Sequence, residues 1–237
     1  MSDEDAFLTG IASDRADRTR LLVFADWLAD QDDPREEFVR VHARLLDMDG
    51  TEPEFVELDK VWNRWVRGHP SSRTRHPRIY DRWLDAMCRV CTIADVNQYT
   101  LHGRGTLLAL TQATIFGPHD HVYPDYECSL NLYRGRAGDF DSPFDFVAQT
   151  VLADLQEDPF LTREIAAIDA CYPITRGRFW KHWRGYAQQL REPPALPALE
   201  ADNPFLAAQY IDGGDNNYGL VATYANDYFA LTGSMRE

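Results

Sequence analysis

Residues 20–40 read Arg20-Leu21-Leu22-Val23-Phe24-Ala25-Asp26-Trp27-Leu28-Ala29-Asp30-Gln31-Asp32-Asp33-Pro34-Arg35-Glu36-Glu37-Phe38-Val39-Arg40. Leu21, Phe24, Ala25 and Leu28 recur at i, i+3, i+4 and i+7, which predicts a helix over about residues 17–30 with one buried face. Trp27 lies beside that stripe, and Asp26 and Asp30 fall on the other side. Asp33 is an N-cap residue and Pro34 suits the first helical position, where a missing N–H costs nothing. Glu36 can reach back to the cap, so a second helix is expected from about Pro34 to Met48, with Phe38, Val41 and Leu45 on its apolar stripe. Asp26 and Arg35 are left over in this pattern. They are expected to pair and fix the angle between the two helices.

Upstream, Ser2 can cap a helix over about residues 3–12, with acidic residues in its first turn and Phe7, Leu8 and Ile11 on its apolar side. Residues 1–50 therefore read as a three-helix module. It is too small to hide its apolar faces alone and is expected to pack on the remaining body, residues 51–237.

Three segments of this module carry a likeness. They are Val23-Phe24-Ala25-Asp26-Trp27-Leu28, then Asp33-Pro34-Arg35, then Glu37-Phe38-Val39-Arg40. With them, residues 4–47 resemble the repeat-companion domain that occurs in many copies in planctomycete bacteria. The resemblance covers less than a fifth of the chain. It implies an adaptor in a bacterial cytoplasmic system and brings no catalytic residues with it. The rest of the chain shows no repeat array of the kind this family accompanies.

Beyond the turn at residues 49–53, helical spacing predicts helices over about 54–67 and 77–92. Tyr126-Glu127-Cys128-Ser129-Leu130-Asn131-Leu132-Tyr133 alternates and reads as a strand, while residues 106–116 suit strand or helix equally. Further helices are expected near 142–157, 159–171, 175–191, 203–211 and 218–232. The fold class is then mainly α within α+β, with a small β element around residues 96–135.

Composition narrows the function. The chain has 237 residues, a net charge of −14 and 44% hydrophobic residues, so it can bury a sizeable core. Its charge is unevenly spread, at −11 over residues 1–59, +6 over 60–104 and −9 over 105–237. An acidic chain is a poor general nucleic-acid binder. The N-terminal residues lack a basic start followed by an apolar run, so cytoplasmic placement with four reduced cysteines is expected, and no membrane association.

Candidate chemistry is sparse. Cys88-Arg89-Val90-Cys91, His119, His121, Asp125 and Cys128 hold ligand types that suit zinc, and His119-Asp120-His121 would put both imidazoles on one side of an extended segment. Tyr133-Arg134-Gly135 resembles the opening motif of ADP-ribosyltransferases, but the later Ser-Thr-Ser strand and Glu-x-Glu loop of that family do not follow. Between residues 60 and 104, arginines alternate with tryptophans and tyrosine, a pattern that grips phosphates, stacks on bases or meets an acidic protein surface.

The leading expectation is a non-enzymatic interaction or adaptor protein that meets a partner's acidic or aromatic-accepting surface through Trp27, Arg35, Arg64, Arg67, Arg73, Arg75 and Trp83. The alternatives are a metal-dependent enzyme or factor using the His119/His121 region, and a nucleic-acid-associated protein using residues 60–104. No cofactor is expected other than possible zinc.

Overall fold

The structure is a computed structural model and describes residues 2–67, 82–88, 111–118, 127–152, 170–187, 203–212 and 217–236. Five helices come first: α1 (Asp3–Ser13), α2 (Arg18–Ala29), α3 (Arg35–Leu45), α4 (Phe55–Arg67) and α5 (Arg82–Cys88). Strands β1 (Thr111–Pro118) and β2 (Glu127–Arg136) follow, then the short helix α6 (Pro143–Val147), which widens into a π-helical stretch over Ala148–Leu152. Strand β3 (Ala170–Ile174), helix α7 (Arg176–Ala187) and strands β4 (Phe205–Asp212), β5 (Asn217–Tyr224) and β6 (Asp227–Arg236) complete the order.

The sequence grammar of the N-terminal helices is met closely. Ser2 and Asp5 form the reciprocal cap of α1, each side chain accepting from the other's backbone N–H. Helix α3 starts one residue later than expected, with Pro34 at its N-cap position and no side-chain cap bond, while Asp33 just ahead accepts from the Arg35 backbone N–H at 2.9 Å. Glu36 takes no part in that bond. It pairs with Arg40 one turn further on. The expected Asp26–Arg35 pair is not formed. Arg35 donates to Asp33 and Glu4, and Asp26 accepts from Arg40. Local geometry explains the exchange, because Asp33 is two residues from Arg35 and already held there by that backbone bond. The α1–α3 angle is thus fixed by Glu4, a residue of the first helix.

The six strands form one antiparallel sheet in the order β1-β2-β6-β5-β4-β3. The chain leaves β2, reaches the far edge at β3, and returns strand by strand until β6 docks beside β2. Alternation gives the sheet two apolar faces. On one face the register aligns Leu132, Leu231, Leu220, Tyr210 and Tyr172 across five strands. This row joins the core of α1–α5 and α7. On the other face Tyr133, Ala230 and Val221 pack with Phe140, Phe146 and Val147 around α6. The α1–α3 helices and the sheet share one continuous core.

The α+β class therefore holds, but the β part is larger than the element expected around residues 96–135. The helices expected near 203–211 and 218–232 are strands β4, β5 and β6. The helix expected near 159–171 ends, where the chain is described, in strand β3. The reason is burial on both faces. Leu220, Val221 and Ala222 are all buried, as are Phe229, Ala230 and Leu231, so the apolar runs lose the alternation that marks a half-exposed strand. The link between β5 and β6, Ala225–Asn226, contains no glycine, so no sequence signal marks this hairpin. Arg134 lies on this hairpin's flank and grips Asp227 with two bonds of 3.0 and 3.1 Å, while Asn203 donates to the same carboxylate at 2.9 Å. That network accounts for Arg134 as a structural residue.

Candidate interaction site

Helix α4 is amphipathic. Phe55, Trp62 and Val66 are buried, whereas Val56, Glu57, Lys60 and Arg64 are exposed. Helix α7 likewise buries Phe179, Trp180 and Trp183 and exposes Lys181, His182 and Gly185. Where the two helices lie together their outer faces leave a cleft of about 550 Å³, lined by Phe55, Val56, Asp59, Lys60, Arg178, Lys181, His182 and Gly185.

Two glycines set the spacing of this cleft. Gly50 has φ +90, in the left-handed region that glycine adopts without strain. A Cβ on Gly177 would stand 2.3 Å from the Phe55 ring and 2.8 Å from the Gly50 nitrogen. The start of α7 therefore sits directly against the turn before α4, and only glycine permits that approach. Arg184 reinforces it by donating to the Asp49 carbonyl.

The cleft floor is a charge clamp. Asp59 is 6% exposed and accepts from Thr175 Oγ1 at 2.9 Å and from Arg178, whose other terminal nitrogen donates to Asn63 at 2.8 Å. A buried carboxylate with a guanidinium and a hydroxyl partner is satisfied, so it locks α4 to α7 rather than waiting for a ligand. Above the floor the polarity changes. Among the described residues Lys60 pairs with Glu57 on its own helix, and both side chains are mostly exposed, so water screens the pair. Although His182 is exposed as a residue, partial desolvation of its ring, with the Arg178 and Lys181 charges beside it, holds the imidazole below its ordinary value. It therefore stands as a neutral hydrogen-bonding group at neutral pH. Helix α7 carries Arg176, Arg178, Lys181 and Arg184 and no carboxylate. The chain has only two lysines, and both line this cleft.

The expected interaction residues fall elsewhere. Trp27 is half-buried against Phe7 and Phe24, with ring centroids 5.7 and 5.9 Å away. Trp83 is buried between Phe38 and Trp65, and Arg35 lies over its ring at 6.0 Å. Arg35 and Trp83 meet where α3 packs on α5, and Trp27 packs separately on α1, so ring contacts and ion pairs account for all three. Arg64 is exposed on α4, and Arg67 ends that helix. Arg73 and Arg75 lie outside the described residues. The sequence reading passed over Lys60, Arg178, Lys181 and His182. The signal available was the run of cations without carboxylates in residues 176–187 of an acidic chain.

His119, His121, Asp125 and Cys91 also lie outside the described residues, and Cys128 stands in β2 opposite Gly117 and Met235. Among the described residues no group of three or more His, Cys, Asp or Glu side chains is placed to hold a metal ion. Cys88 is buried beside His42, and burial pushes its thiol well above the usual range, the surroundings of an inert packing thiol. Among the same residues no helix is long and apolar enough to cross a membrane. No family model, no curated protein and no solved structure matches the chain.

Proposed function

We propose that this is a non-enzymatic interaction protein that docks an acidic, apolar-anchored segment of a partner protein in the cleft between α4 and α7. One observation carries the reading: Val56, 46% exposed, shares this cleft with Lys60 and Lys181 on an otherwise acidic chain. An exposed aliphatic group offers an apolar contact, and the surrounding cations attract carboxylates and orient the approaching segment. The floor clamp of Asp59 and Arg178 keeps the cleft preformed, which lowers the ordering cost of binding. The likeness of residues 4–47 to the repeat-companion domain belongs to the same reading, since an adaptor needs a docking face and no reactive group.

The test is fluorescence anisotropy with a labelled glutamate-rich peptide carrying one leucine. The wild type is expected to bind it with an affinity that falls as salt is raised. The Lys60→Glu/Lys181→Glu double variant is expected to bind at least about tenfold more weakly. Equal binding by wild type and variant overturns the proposal. So does a wild type that binds a labelled single-stranded oligonucleotide and not the peptide, or that binds neither.

A further inference from the structure

Helix α3 carries one buried histidine away from the cleft. His42 is 6% exposed, and the Trp62 indole N–H donates to its Nδ1 at 3.2 Å. The Cys88 sulfur lies 4.0 Å from the same nitrogen, and its thiol can add a second, weak donor there. Nδ1 is therefore an acceptor, and the single proton of the neutral ring sits on Nε2. That Nε2–H is buried and meets no acceptor among the described residues. The Nε–H of Arg176, at the start of α7, is buried and meets none either. Both residues line one crevice of about 10 Å³ between α3, α5, β4 and the β3–α7 junction.

The wall around them is mainly aliphatic, with Leu45, Met87, Ile174 and Ala208, and Thr175 is a further polar neighbour. Two unpaired donors on residues that line one mainly apolar crevice call for an acceptor within it. Leaving them unpaired would forfeit the hydration of each group with nothing in return. A crevice of this size has room for one water molecule, and two or more polar partners are what an internal water needs.

We infer that His42 Nε2 and Arg176 Nε both donate to a single internal water molecule, which bridges helix α3 to the β3–α7 junction. The bridge lies where the N-terminal helices meet the sheet, so it closes a polar gap in the shared core. It is independent of the α4–α7 cleft.

A crystal structure of the full chain, at a resolution that orders solvent, tests this directly. A peak within hydrogen-bond distance of both nitrogens is expected. A dry crevice, or a protein acceptor on either nitrogen, overturns the inference. Crystals grown in bromide separate water from a halide, since an anomalous peak at the site would mark an anion and overturn the assignment to water. Long-range ¹⁵N–¹H correlation on the imidazole gives a second readout without any substitution. The Nε2–H tautomer is expected, and the Nδ1–H tautomer sinks the proposal. In Arg176→Met the peak is expected to be lost, and a fully occupied water at the same point would overturn the shared-donor geometry. If that variant does not fold, the two wild-type measurements still decide.

Discussion

Two clusters of cations and aromatic rings sit on opposite sides of helix α4, and they do opposite things. At the α1–α3–α5 seam, Arg35 is held by Asp33 and Glu4 and lies over Trp83, which is itself buried between Phe38 and Trp65. Among the described residues of the α4–α7 cleft, Arg178 is consumed by a buried carboxylate, while Lys60 and Lys181 are exposed. The same residue types thus make a joint in one place and a surface in the other. What separates them is the supply of acids: α1 carries Asp3, Glu4 and Asp5 and α3 carries Glu36 and Glu37, whereas α7 has none. Arginine beside tryptophan is no mark of a binding face until its counter-ions are known.

The comparison can be broken most severely at the glycine contact that spaces the cleft. Gly177→Val places a branched side chain into the Phe55 ring and the Gly50 backbone, and is expected to cost about 3 kcal/mol or more, read as a lower urea midpoint. A variant as stable as the wild type would show that α7 is not held against the Gly50 turn.

The next largest effect is on pH. Burial lowers the His42 imidazole from 6.5 to about 4. Below pH 6.5 the unfolded chain takes up a proton that the folded chain refuses, so stability falls as pH drops from about 6.5 towards 4. The full loss from this one group is about 3 kcal/mol. Urea midpoints measured across that range should show the decline in the wild type and a flatter profile in His42→Gln. Parallel profiles would mean that His42 protonates freely in the fold.

A smaller cost is expected at the seam. Arg35→Ala removes bonds to two carboxylates from a partly exposed position, and should destabilise by about 1–2 kcal/mol in denaturant unfolding. An unchanged midpoint would move Arg35 from joint to surface. The smallest stability effect belongs to the cleft rim. Lys60→Glu/Lys181→Glu is expected to shift stability by less than about 1 kcal/mol, because exposed charges carry little folding energy. A large loss of stability there would mean that the rim is structural and would remove the contrast.

Much of the N-terminal fold was legible from the residues. Ser2 and Asp5 cap α1, and Asp33 holds the Arg35 N–H at the start of α3, through backbone groups two or three positions away, so a short window contains both partners. The stripes Leu21/Phe24/Ala25/Leu28 and Phe38/Leu45 face the core as their spacing requires. The C-terminal half was not legible in the same way. Its runs around Leu220–Ala222 and Phe229–Leu231 are apolar on both faces, because helices cover one side of the sheet and α6 the other. That cover is contributed by residues far away in sequence, and it erased the period of two.

The candidate site divides along the same line. The presence of lysines, arginines and a histidine in α4 and α7 is a property of the sequence. Their meeting depends on Gly50 and Gly177 touching across a separation of 127 residues, and on Asp59 reaching Thr175 and Arg178. The sequence alone determined the caps, the amphipathic stripes and the acidic balance, because each depends on neighbours within a few residues or on composition. Only the tertiary structure decided which cations are neutralised and which face a cleft, because ion pairing depends on distance through space.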